Sequence, residues 1–183
     1  MLPYSKLPAE AWRKVGVNAG VLLTRFDPET GAANRADILG ATAGPVRFVA
    51  RPVLEDLAAP VRNCPACREM LVLRDWTVRL SGTLVTADTP AVRRLIALAD
   101  VAGDGHIVPR AGVDPGDFDD LWYAFDYGGG AFAIRMRHAL STGGLCVTAR
   151  PAALAQWPFE FTALCSAGEL DETPFEVWAG LRD

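Results

Sequence analysis

The sequence predicts a mainly β domain of antiparallel strands with a single α-helix. Three observations predict it. Apolar and polar residues alternate along several segments, which is the period of a half-buried strand. Clusters of glycine separate those segments, as hairpin turns require. One segment, near residues 89–100, carries apolar residues at helical spacing instead.

The elements follow in chain order. An N-terminal arm of about residues 1–19, with a helical turn at Ala9–Lys14, precedes strand candidates at Gly20–Phe26 and Val46–Arg51. In Arg74–Thr86, Trp76, Val78, Leu80 and Leu84 alternate with Thr77, Arg79, Ser81 and Thr83. Gly82 falls in the apolar phase and marks a bulge or bend. Asp88 or Thr89 caps the helix, and Pro90 suits its first turn. Val92, Leu95, Ile96 and Ala99 form its stripe, which ends near Asp100 with Arg93 and Arg94 pointing away. Leu121–Tyr127 and Ala131–Leu140 form a hairpin over Gly128-Gly129-Gly130. On the second strand Phe132, Ile134, Met136, His138 and Leu140 share a face. This predicts His138 as a hydrogen-bonded core histidine and sets Arg135 and Arg137 on the opposite, solvated or interface side. Ser141-Thr142-Gly143-Gly144 leads to a strand at Leu145–Thr148. Trp157, Phe159, Phe161, Ala163 and Cys165 alternate with Glu160 and Thr162, and Ala167–Glu172 joins this strand to Pro174–Ala179. Two long segments, Asp27–Gly44 and Pro52–Leu73, lack a regular pattern, although a short helix fits Cys67–Leu73. Unpatterned loops of such length in a small domain point to function or disorder.

Composition narrows the function. The chain has 183 residues, 50% of them apolar or aromatic, 22% charged, and a net charge of −4. That excludes a disordered chain and predicts one domain over residues 1–183. It also leaves more apolar surface than a small monomer usually buries. Basic residues are 16 arginines and 2 lysines without an overall basic excess, so a groove-binding nucleic-acid protein is not indicated. No apolar run of about 18 residues exists, so no membrane span is expected. Met1–Lys14 lacks a long apolar stretch, which predicts no secretory signal and folding in a cytoplasm.

The chemistry-bearing residues are sparse. Cys64 and Cys67 form a CxxC pair, but Cys146 and Cys165 stand 19 apart and do not supply the second close pair of a four-cysteine zinc site. Incidental thiols, a metal site and a redox pair are the three readings, the first favoured. With only His106 and His138, a Ser-His-Asp or Cys-His arrangement has little material. Asp114, Asp117, Asp119 and Asp120 do not match a calcium loop and read as a solvated loop or acidic patch. No phosphate-binding glycine loop occurs. The expectation is therefore no enzyme, no catalytic, cofactor or metal residues, and no cofactor.

An ordered set of segments resembles the major tail tube protein of long-tailed bacteriophages and prophages. It comprises Asn18-Ala19-Gly20-Val21-Leu22-Leu23, Phe26-Asp27-Pro28-Glu29-Thr30-Gly31 and Ile38-Leu39-Gly40-Ala41-Thr42-Ala43-Gly44. It continues through Asn63-Cys64-Pro65, Leu73-Arg74-Asp75-Trp76, Ser81-Gly82-Thr83 and Asp120-Leu121-Trp122. Ala139-Leu140-Ser141-Thr142-Gly143-Gly144, Phe159-Glu160-Phe161-Thr162 and Pro174-Phe175-Glu176-Val177 complete it. Cys67 and the short Ala149–Gln156 segment depart from the pattern. The resemblance implies an antiparallel β-sandwich or flattened barrel flanked by one helix. It implies hexameric rings of this chain stacked into a tail tube in the virion, assembled in the host cytoplasm. The implied partners are further copies, the tape-measure protein, the tail tip or baseplate and the tail terminator. Double-stranded DNA would pass the lumen without specific binding, and carboxylates, those of Asp114–Asp120 among them, would suit the wall. The long loops and the arm would make much of the contact between copies. The alternative reading is a small β-barrel binding module with a metal at Cys64 and Cys67.

Overall fold

A computed structural model of the chain describes residues 20–57, 67–127, 130–169 and 172–181. Among these, the strands are β1 (Val21–Leu23), β2 (Ile38–Ala41), β3 (Arg47–Asp56), β4 (Leu71–Leu84), β5 (Ala99–Val101), β6 (Ile107–Pro109), β7 (Asp119–Tyr127), β8 (Gly130–Ser141), β9 (Trp157–Ala163) and β10 (Phe175–Leu181). The α-helix is α1 (Thr89–Ile96). Eight strands form one antiparallel sheet in the order β2-β1-β7-β8-β9-β4-β3, with β10 also on β8, and β5 and β6 make a small hairpin.

The sheet folds over because β8 serves two partners along one edge. Its residues Ala131–Met136 pair with β10, and Ala139–Ser141 pair with β9. At the changeover, Asp119 faces Ala139 while Leu121 faces Met136, so three steps on β8 answer two on β7. That is a bulge with one extra residue, and His138 takes φ 46° there. The extra residue shifts the alternation. Ile134 and Met136 point into the core before the bulge, and Ala139 does so after it. His138 is thereby taken out of the core. It sits half-buried with its Nε2 3.2 Å from Glu169 Oε2, which corrects the core placement expected from its parity.

The two layers enclose one main core. Leu22, Leu121, Tyr123, Ile134 and Met136 on one side meet Val78, Leu80, Leu84, Phe159 and Phe161 on the other, and Ala91 and Leu95 of α1 close the end. Each fully buried large apolar side chain contributes about 1.5–3 kcal/mol. Phe175 of β10 bridges the layers, with ring centroids 5.7 Å from Phe48 and 5.2 Å from Trp76. The barrel is not closed. β2 and β4 are joined only by the Thr42–Leu84 bridge, with Val85 N–H donating to Ala41 O and Ala43 N–H to Thr83 O, each at 2.9 Å. Gly82 is neither a bulge nor a bend. The register is continuous there, and a Cβ would lie 2.9 Å from both the Phe159 ring and Val46, so glycine makes room for a close approach.

The pattern-based boundaries hold where one face is buried and move elsewhere. The unpatterned Asp27–Gly44 segment contains β2. Pro52–Leu73 gives up its ends to β3 and β4, and a 3₁₀ turn at Arg68–Met70 stands where a short helix was expected. β3 passes through Pro52 because it is the edge strand, where a missing N–H need not face a partner. Leu145–Thr148 is not a strand: only Thr148 pairs, with Gln156 in an isolated bridge. α1 stops at Ile96 rather than Asp100. A γ-turn centred on Ala97 (φ 72°) reverses the chain, with Leu98 N–H donating to Ile96 O at 3.0 Å, and Ala99 enters β5. The arm (1–19), the turn Gly128-Gly129 and Cys64 lie outside the described residues.

Candidate functional site

The largest departure from a self-sufficient domain is the outer half of the β3–β4 hairpin. β9 pairs with β4 only from Val78 onward, so Leu71–Thr77 and their β3 partners continue as a two-stranded ribbon. The register fixes its faces. Pro52 pairs with Trp76 on the core side, Val53 with Asp75 on the outer side, and a bulge then places Leu54 opposite Leu73 on the core side again. Core-side Leu54, Leu73 and Leu71 are 51%, 48% and 43% exposed, outer-side Val53 and Val72 are 44% and 38% exposed, and Met70 in the adjoining 3₁₀ turn is 44% exposed. Arg74 and Glu55 form an ion pair across the outer face. A two-stranded ribbon without a sheet or helix beneath it is marginal in water, and contiguous exposed apolar residues mark a contact surface.

Two clefts stand out among the described residues. One, of about 690 Å³, has Phe26 and Trp122 as its floor, with ring centroids 5.8 Å apart. The Arg135 guanidinium lies 5.7 Å from the Trp122 centroid and is paired with Asp120 and Glu176. Burial alone lowers the Arg135 pKa, but the hydrogen bond and charge of Asp120, with Glu176, outweigh it and raise the value. Arg94 is buried at the back of this cleft, donating to the carbonyls of Asp119 (3.3 Å) and Asp120 (2.8 Å). Desolvation lowers its pKa, with Asp119 opposing. Arg94 lies off the apolar stripe and is nonetheless buried, because its guanidinium is satisfied by these carbonyls. The second cleft, of about 540 Å³, lies below the ribbon and includes Leu73, Trp76, Cys165 and Pro174. Burial pushes the Cys165 thiol up, and Asp75, 3.9 Å away, adds to this, which disfavours the thiolate.

The sequence-predicted candidates distribute as follows. Asp114 and Asp119 are exposed, as a solvated loop predicts, but Asp117 is not. Asp117 is buried, accepting from Arg93 Nη2 and the Asp114 N–H, each at 2.9 Å, and from Arg110 Nη2. This ties the Asp114 turn and the β5–β6 hairpin to α1. Asp119 and Asp120 pair with Arg94 and Arg135. Ser141 Oγ donates to Leu95 O at 2.9 Å, which leaves it a structural role. Cys67 is half-buried, and among the described residues no group of three or more His, Cys, Asp and Glu is placed to hold a metal. None of the described helices is long and apolar enough to cross a membrane. Sequence reasoning missed the ribbon and the Asp117 clasp. The run of four apolar residues at Met70-Leu71-Val72-Leu73 was the available signal for the first. No known protein-family model matches the chain, and no curated protein matches it significantly.

Proposed function

We propose that this chain is a structural virion protein whose copies close into hexameric rings that stack into a phage tail tube. The observation that carries the reading is the β3–β4 ribbon, which exposes apolar side chains on both faces in the single chain. The edges of β3 and β10, open among the described residues, add to it, since pairing across subunits removes edges that otherwise aggregate. A head-to-tail contact that closes yields a ring, and repeated stacking yields a tube. The mainly β architecture, with one α-helix among the described residues, agrees with the fold that the sequence resemblance implies. A net charge of −4 suits a conduit along which DNA slides, because a basic wall would hold phosphates. The tape-measure, tip and terminator proteins are the partners this reading implies.

Light scattering after size exclusion, with negative-stain microscopy of the purified chain and of particles, tests the proposal. Rings or tubes of this chain are expected. A chain that stays monomeric at every concentration and forms no tube in particles overturns it.

A further inference from the structure

We propose that each β3–β4 ribbon is held between two neighbouring copies of this chain at once, one against each face. The inference rests on the self-assembly reading and adds the number of neighbours that one copy engages through this element. A strand over a single core alternates apolar and polar residues, whereas Leu71, Val72 and Leu73 are consecutive and apolar. They face opposite sides of the ribbon, and their exposures of 43%, 38% and 48% are nearly equal. Leu54 joins the core-side set and Val53 the outer set, while Met70, in the 3₁₀ turn next to Leu71, is exposed beside them. One body laid against the ribbon covers one set and leaves the other in water, so two bodies are needed.

The size of the ribbon says what those bodies are. Two strands roughly 4.8 Å apart, rising about 3.3 Å per residue over some five residues, offer a few hundred Å² per face at most. A stable pair of proteins buries about 800 Å² per partner. Neither face alone holds a separate partner. In a symmetric assembly every copy gives one ribbon and receives others, so small contacts of this kind add up. A second and a third copy of this chain therefore fit the two faces better than an unrelated protein does.

Hydroxyl-radical footprinting of the full chain, read by mass spectrometry, compares unassembled and assembled protein. Oxidation of Leu54, Leu71 and Leu73 and of Val53 and Val72 is expected to fall severalfold together on assembly. Protection of only one set overturns the inference and leaves self-assembly standing. Protection already complete in the monomer overturns it too. Failure to assemble in solution and in particles overturns the underlying reading along with it. Leu73→Glu and Val72→Glu, checked for a retained β-sheet spectrum, should each block assembly, and tubes formed by either variant count against it.

Discussion

Single residues carry much of the specification. Asp117 has a fully buried side chain facing two arginines, so its removal leaves charges without their partner. Asp117→Ala should lower stability by about 3 kcal/mol in urea unfolding of the unassembled chain. Gly40 is constrained sterically: a Cβ would lie 2.3 Å from Thr86 O and 3.2 Å from Leu84 Cδ2. Gly40→Ala should cost about 1–3 kcal/mol, because β2 must move off the end of β4. The Thr30 hydroxyl, then the Glu29 N–H, hold the Asp27 carboxyl below its ordinary range. A lowered pKa means that the turn is favoured above the ordinary aspartate range and loses this support as pH falls through the lowered value. Thr30→Val should bring the Asp27 midpoint back up in an NMR titration. The role of Asp117 was not legible in the sequence. One aspartate in an acidic run looks like the next, and its arginine partners come from α1 and from beyond β6.

Elements were legible in proportion to how unequal their two faces are. β9 and the inner half of β4 bury one face against the core, so their alternation gives both existence and phase. The outer part of the ribbon has no such inequality, and its residues up to Leu73 read as loop for the same physical reason that they require covering. β2 is four residues long, too short for alternation to register. The bulge in β8 breaks the parity on which the placement of His138 relied. At the end of α1 the stripe continues to Ala99, but a γ-turn intervenes at Ala97, a conformation that costs an alanine and not a glycine. Ala97→Gly should raise the thermal midpoint, corresponding to about 1 kcal/mol, if relief of the turn outweighs loss of one methyl. An unchanged or lower midpoint would show that the methyl's packing dominates.

At the scale of the whole molecule, the arrangement separates a core that folds by itself from a ribbon that extends past it. Trimming the ribbon should therefore leave the β-sheet circular dichroism spectrum in place while abolishing assembly, which microscopy reads directly. A cut that keeps Trp76 subtracts little from the buried cluster, since Val53, Leu54, Leu71, Val72 and Leu73 are exposed whereas Trp76 packs on Phe175. The branching of β8 has a further consequence. A strand hydrogen-bonded to β7 along one side and to β9 and β10 along the other belongs to both layers. Neither layer can open without breaking a ladder that the other also uses. The domain should then melt in one cooperative step. The amides of Ile134 and Met136 should exchange with deuterium only as fast as the entire molecule unfolds.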